Sequence, residues 1–490
     1  MIRIVKPEHS DGASQRPTNP FLFYGAVALI LLTCLTPDSA EPWREGTFIV
    51  LAAALTLVRC ANCLTAEGRK ARHLGLLAPI FAITAFSLIQ VFAGVFAGAS
   101  AAANSVGGGV APPPLGSADP FGTIQFVLRL LSLAVIADLL LRLTDTARRL
   151  WLLTHAVLFI CIGAALFGLA QQTVTADSSL ASLFPYAGAD GAYGLAGNRN
   201  HFAYLMEMGA GLCAGLVACR GVERQWRALY AAGGVTICVA LVSSSSRGGV
   251  LSLLGLTLFT AVFAGKVWAS GKRRGLAPSL SVRRVASFAA RGVLAAGLVL
   301  AVGIGVVIIG GDQLGTRLDQ LDREVAAAGE DAPPPVRRQE IWEASWQLFK
   351  RNPVTGVGFG GYWVAVSQHH VNTGELLPYQ AHNDYLEIMA SGGAVGAALF
   401  AWLFAGVIWR ARGELRKDHP FRRAACFGAL AGMVGVAIHS AVDFGLHALP
   451  ISLLFVTLTI IAAADVTQRA RRAVRRAGPF GAGASSQAAR

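Results

Sequence analysis

Charge is scarce in this chain. Only 14% of its 490 residues are Asp, Glu, Lys or Arg, against about 25% in an average soluble protein. That excludes an ordinary water-soluble domain. Lysine and arginine vanish altogether from two stretches, 98–120 and 171–197. Cysteine is missing from both as well. The eight cysteines (34, 60, 63, 161, 213, 219, 238 and 426) lie in or beside apolar segments, so no disulfide framework staples an exposed domain. Cys60 and Cys63 form one C-x-x-C without a second pair, too little for a metal site. No internal repeat is visible.

What the chain has instead is apolar length: 54% of its residues are hydrophobic and the mean hydropathy is +0.53. Twelve apolar segments fall near 21–36, 46–59, 74–97, 121–141, 150–170, 198–219, 228–246, 247–265, 290–310, 385–409, 424–446 and 449–465. Most approach or reach the roughly 17–25 residues that a helix needs to cross a bilayer. The expectation is an all-α polytopic membrane protein of about 12 transmembrane helices. Nine of them occupy residues 1–310, a large extramembrane loop follows at 311–384, three more helices span 385–465, and a basic tail covers 466–490.

The net charge of +14 has a direction. With the N-terminus inside, the inside segments hold 32 of the 42 Lys and Arg. This is the positive-inside asymmetry, which places both termini in the cytoplasm and the 311–384 loop in the periplasm of a bacterial inner membrane. The basic balance therefore reports topology and contact with membrane lipids, and predicts no nucleic-acid partner. The first apolar run is expected to be a retained helix rather than a cleaved leader. The stretch 98–120, rich in Gly, Ala and Pro, reads as a mobile connector.

Within the large loop, Arg337 to Lys350 carries Ile341, Trp342, Trp346, Leu348 and Phe349 at mostly helical spacing. This predicts an amphipathic helix on the membrane surface, bounded by prolines 333–335 and by Asn352-Pro353. The "TGVGFGGYW" that follows has no preceding strand. A tight turn that lets backbone approach a ligand or another helix is the better reading than a dinucleotide loop.

The unusual residues cluster by topology. The helices starting near 198, 247 and 385 all run from outside to inside, and each start is polar: "GNRNHF" (197–202), "SSSSRGG" (243–249) and "AHNDYLE" (381–387). Helix N-termini present unpaired N–H groups and a positive dipole end, which suit anions. Arg199 and Arg247 add guanidiniums there, against the positive-inside trend. One such arginine would ordinarily snorkel to headgroup phosphate. Two, each beside Asn, Ser or Gly, point to a diphosphate, since guanidinium forks onto phosphate oxygens. His382 is either a polar cap residue or a general base, and residue type alone leaves the two readings even. Asn200, Asn383 and Asp384 are supporting candidates or simple caps. His439 and Asp443, in "HSAVDFGLH" at the end of a helix running the other way, sit toward the same face. Arg129, eight residues into its helix, is a further candidate, with a buried polar pair as the default for it and Asp443. Glu207, Asp138 and His155 read as interior contacts.

Five segments resemble, in order, the bacterial O-antigen ligase/polymerase family: "GNRNHFAYL" (197–205), "SSSSRGGVLSL" (243–253), "RQEIWEASWQLFKRNPVTGVGFGGY" (338–362), "AHNDYLEIMASGGAVG" (381–396) and "HSAVDFGLHALP" (439–450). The resemblance spans roughly 197–450. It implies a metal-independent glycosyltransferase of the GT-C type, without cofactor, that moves a glycan from undecaprenyl diphosphate to an acceptor hydroxyl on the periplasmic side. It implies that Arg199 and Arg247 hold the lipid diphosphate and that His382 activates the acceptor, most simply with inversion. The acceptor would be a lipid or saccharide, with ligase-type transfer to lipid A–core placed ahead of O-antigen or exopolysaccharide polymerisation. A transporter or lipid-linked glycan flippase is the alternative of a different class. It would favour inverted repeats and broken helices, and the sequence offers neither.

Overall fold

A computed structural model describes residues 20–36, 42–64, 74–104, 115–173, 193–270, 338–367 and 379–466. Among these residues the chain is all helical, without a named strand. The helices are α1 (Pro20–Leu35), α2 (Pro42–Leu64), α3 (Leu74–Asn104), α4 (Pro120–Leu143), α5 (Ala147–Gln171), α6 (Arg199–Ala218), α7 (Arg227–Ser243), α8 (Arg247–Ser270), α9 (Arg338–Arg351), α10 (Tyr362–Ser367), α11 (Asp384–Leu415), α12 (Pro420–His439) and α13 (Leu449–Ala463). Eight helices are long and apolar enough to cross a membrane by length and composition, and α1 and α13 are shorter apolar helices. The chain is a polytopic membrane protein. Eleven of the twelve expected segments coincide with helices; the twelfth, 290–310, lies outside the described residues, as do most of the expected loop and tail.

Helix starts follow local chemistry. Asp119 caps α4 through the Gly122 N–H with Pro120 at the first position, Thr146 caps α5, Asn198 caps α6 and Asn383 caps α11. Each side-chain oxygen takes an N–H that the helix cannot satisfy itself.

The centre of the bundle is the crossing of α6 and α12. Gly211 and Gly215 of α6 lie directly on the backbone of Gly428 and Gly432 of α12, so that a Cβ at Gly211 or Gly215 would overlap the opposing main chain. Small residues four apart let two helices approach to backbone contact, where packing rather than water drives association. At the end of this seam nearest the polar helix starts, Glu207 replaces glycine in the α6 register and meets Gly435 and His439.

Helix α11 departs from the expectation of unbroken spans. Gly393 has φ 61° and ψ −160° and interrupts it at its tenth residue. The glycine-rich loop after α9 fills the break with its own backbone. Val357 N–H donates to Ala390 O (3.0 Å) and Gly358 N–H to Ser391 O (2.8 Å), while Ala394 N–H donates to Pro353 O (2.8 Å) and Val395 N–H to Val354 O (3.1 Å). Gln90 of α3 adds its amide to Thr355 O at 2.7 Å. Non-helical backbone is tolerated at membrane depth when protein groups satisfy it. The tight-turn reading of "TGVGFGG" is borne out here, since Gly356, Gly358 and Gly360 all have positive φ.

The same loop changes two other expectations. One side of α9 turns inward: Ala344 and Leu348 join Val357, Tyr362, Val366, Ala381 and Ala390 in a small core of their own, Ser345 Oγ lies 2.6 Å from Tyr362 Oη, and Trp346 stays exposed. The end of the supposed mobile connector is docked, with Ser117 N–H donating to Gln90 O (2.8 Å) and Ala118 N–H to Val357 O (2.8 Å). Backbone pairing, invisible in composition, holds both pieces.

Gly393→Ala is expected to destabilise the protein by about 1–3 kcal/mol, the range for a strained non-glycine conformation. The added Cβ would also overlap the Val354 carbonyl. Thermal unfolding in detergent measures the loss, and an unchanged midpoint would contradict this account of the break.

Candidate active site at the polar helix starts

The three polar helix starts converge on the C-terminal end of α12. Ser246 Oγ donates to Asn200 Oδ1 (2.8 Å) and joins the start of α8 to that of α6. Gly248, one residue past Arg247, lies against the His439 ring. Asp384 N–H donates to Ser440 O (2.9 Å) and ties the start of α11 to the same turn. Arg199 is the first residue of α6 and half-buried; Arg247 is the first residue of α8 and exposed. Two guanidiniums and two helix N-termini thus share one end of the bundle.

His382 precedes α11 in a left-handed backbone conformation, φ 50°. Such a conformation costs a non-glycine residue energy and persists only where its surroundings impose it. Here the neighbours are fixed. Ala381 N–H donates to Glu387 Oε2 (2.8 Å), and Asn383 Oδ1 accepts from the N–H groups of Tyr385 (3.0 Å) and Leu386 (3.1 Å). Asn383 is therefore a cap, as its bland reading had it. The His382 side chain is 32% exposed, and its Nδ1 lies 3.4 Å from Asp443 Oδ1. Its ring meets Phe444 edge to face at 4.7 Å. His201, in the first turn of α6, meets the same phenyl ring at 5.5 Å.

Asp443 is 1% exposed, sits in the turn between α12 and α13, and accepts from the Phe444 N–H at 3.0 Å. Burial pushes its carboxyl upward, but the His382 hydrogen bond, the His439 ring, the Phe444 N–H and the Arg338 charge together hold it below the usual carboxylate range. It is a carboxylate throughout the neutral range. His439 is buried, its Nδ1 lies 2.6 Å from Glu207 Oε1, and it stacks on Tyr204 with ring centroids 4.0 Å apart. Asp384 and Glu387 lie 3.7 and 3.2 Å from His447 Nε2.

Arg129 is drawn into a different set of contacts. Its guanidinium forks onto Glu45, with Nε to Oε1 at 2.5 Å and Nη2 to Oε2 at 2.6 Å, while Nη1 donates to His447 O at 2.6 Å. The default polar pair describes it, and it pins the turn that carries Asp443 to α4. It also walls a cavity of about 830 Å³ between α1, α2, α4 and this turn, which reaches Asn198, His201, Phe444 and His447. Its volume is within the range of small-molecule sites, roughly 300–1,000 Å³.

Sequence reasoning did not single out Arg338 or His447, and it read Glu207 only as an interior contact, as its burial against His439 and Ser252 bears out. Arg338 carried a signal: it is a basic residue on the expected outer face, at the head of the α9 motif. Glu207 carried none, since an acid within an apolar helix is explained equally by any interior partner. Asp138 is the contrasting case, paired with Arg59 and Arg142 at the opposite end.

Residues 232–401 match the profile of the family described as O-Antigen ligase. The match includes Arg247, Arg338 and His382, and leaves Arg199, Glu207, His439 and Asp443 outside it. No curated protein matches the chain.

A carboxylate whose folded-state pKa is depressed stabilises the fold above its unfolded value and loses that contribution as pH falls through the folded value. Asp443→Asn is accordingly expected to lower the unfolding temperature at pH 7, and the deficit should narrow only below about pH 4, the ordinary aspartate range. A deficit that vanishes by pH 6 would contradict the depressed carboxyl.

Proposed function

We propose, on the match of residues 232–401 to the O-antigen ligase family, that the chain moves a glycan from undecaprenyl diphosphate to an acceptor hydroxyl, of the lipid A–core type, on the periplasmic side of the bacterial inner membrane. The observation that carries the reading is His382 held against the Asp443 carboxylate at the end where Arg199 and Arg247 begin their helices.

In this reading His382 donates Nδ1–H to Asp443 Oδ1, which leaves Nε2 as the proton acceptor. Nε2 takes the proton from the acceptor hydroxyl as its oxygen attacks the anomeric carbon. The bond from that carbon to the diphosphate breaks, and its electron pair stays on the phosphate oxygen. Arg199, Arg247 and the helix N-termini stabilise that developing charge without reorganising. The Asp443 carboxylate stabilises the imidazolium. Single displacement inverts the anomeric centre, and the electrostatic work falls to the arginines rather than to a metal ion. The 830 Å³ cavity beside Phe444 and His447 supplies room for part of a lipid-linked substrate.

Among the described residues, the break in α11 is the feature that favours a transporter. Loop backbone satisfies it on both sides, so it is a packed joint rather than an open ion site of the kind broken transporter helices form.

The test uses purified full-length protein with undecaprenyl-diphosphate-linked glycan and acceptor, following release of undecaprenyl diphosphate and glycan transfer. Wild-type turnover is expected to persist in EDTA. His382→Gln should lose about 10²–10⁴-fold, the usual contribution of a general base, and unchanged turnover would refute the assignment. Arg247→Lys should raise the donor requirement or slow turnover by roughly 10- to 100-fold, the equivalent of one charged hydrogen bond at about 1.5–3 kcal/mol. Wild-type kinetics in that variant would place the diphosphate elsewhere. Transfer to glycan repeat units but not to a lipid A–core acceptor would identify a polymerase.

A further inference from the structure

Behind His382 lies a buried polar chain of which the reaction as drawn uses only the first member, Asp443. It runs from Asp443 to His439 and Glu207, into the centre of the bundle. Glu207 is 0% exposed, His439 1% and Asp443 1%. His439 Nδ1 is 2.6 Å from Glu207 Oε1, and His439 Nε2 is 3.9 Å from Asp443 Oδ2. Ser252 Oγ of α8 lies 2.8 Å from the same Glu207 oxygen. The second oxygens, Glu207 Oε2 and Asp443 Oδ2, are buried and have no hydrogen-bond partner among the described residues.

A bundle core has no cause to hold two carboxylates around one imidazole for stability alone, because desolvating charge costs more than the pairing returns. The proton positions explain the arrangement. If Glu207 is ionised and His439 is an imidazolium, Nε2–H faces Asp443. If the proton between the pair sits on Glu207 instead, it donates to Nδ1, and Nε2 still carries the remaining proton toward Asp443. Both arrangements present a proton to Asp443 Oδ2, as His382 does to Oδ1. The Tyr204 ring stacked at 4.0 Å and Gly248 on the edge hold the His439 ring plane.

We propose that Glu207 and His439 are positioning residues which, through Asp443, orient His382 for proton transfer. The proposal rests on His382 being the base of the transfer reaction. Asp443 thereby faces an imidazole on two sides, His382 at 3.4 Å toward the surface and His439 at 3.9 Å from within, with the exposed Arg338 adding positive charge. Glu207 fixes which nitrogen of His439 faces Asp443. The second-site partner of a histidine base commonly fixes its tautomer and angle, and here that partner is itself fixed by a further pair.

The experiment is a double-mutant cycle on the full chain in the release assay. His439→Phe keeps a ring stacked on Tyr204 and removes both nitrogens. It should lower kcat at least tenfold while the donor KM stays within threefold, and should add less than twofold when His382 is already Gln. The same tenfold loss in both backgrounds would show a structural role and overturn the proposal, as would wild-type kcat in His439→Phe. Should His382→Gln itself retain full turnover, the base assignment fails and not the geometry argued here. Two further readouts stand if His439→Phe does not fold or His382→Gln is too slow to follow. Glu207→Gln can still donate to Nδ1 and should retain at least five times the kcat of Glu207→Leu. Carbethoxylation of His382, mapped by mass spectrometry against His201 as internal reference, should slow at least threefold in Glu207→Leu. Equal kcat in the two Glu207 variants and an unchanged modification rate would overturn it.

Discussion

The backbones of α6 and α12 touch, and most of the site follows from that contact. Four glycines bring main chain against main chain at the crossing, which restricts the depth and rotation at which the two helices fit. One turn beyond the glycines, that fit brings Glu207 against His439 at 2.6 Å. A bulkier seam would part the pair and leave a carboxylate unpaired in the membrane interior, where such a group costs several kcal/mol. Close packing and buried polarity are therefore one constraint here. The small residues make the polar contact possible, and the polar contact fixes the register in which the small residues meet.

From that crossing the outer features are placed in sequence. The last turn of α12 accepts the start of α11 through Ser440 O, and its ring at His439 supports the start of α8 through Gly248. The turn after it carries Asp443 to His382. Arg129 braces the same turn from α4 through the His447 carbonyl. On the other side, the break at Gly393 separates the first turns of α11 from the rest, and the loop 353–358 refills the backbone bonds that the break exposes. His382 is thus held from below by α12 and laterally by a loop stitched into its own helix, which is how a left-handed histidine persists.

Much of this was legible in the residues. Apolar length and the skewed distribution of lysine and arginine yield the helices and the shared direction of α6, α8 and α11, and the three polar starts do meet at one end. His382, Arg199, Arg247, His439 and Asp443 were identifiable because polar residues at helix ends on the outer face have few structural reasons to be there. Glu207 was not, because its partner lies 232 positions away and a lone acid in an apolar helix matches many pairings. The broken α11 was hidden for a related reason. A Gly-Gly pair in a helix is tolerated in most contexts, and only the carbonyls of Pro353 and Val354 reveal that this one is opened. The docked connector at 115–119 and the inward face of α9 likewise depend on backbone partners that no local pattern encodes.

The central claim is that lipid diphosphate departs from between Arg199 and Arg247 while His382 takes the acceptor proton. An experimental structure of the full chain with undecaprenyl-diphosphate-linked glycan bound tests it most directly. The account predicts diphosphate density in contact with both guanidiniums at the starts of α6 and α8, and the first sugar's anomeric carbon on the side facing His382. Diphosphate seated away from both arginines, or an anomeric carbon turned away from His382, would contradict it.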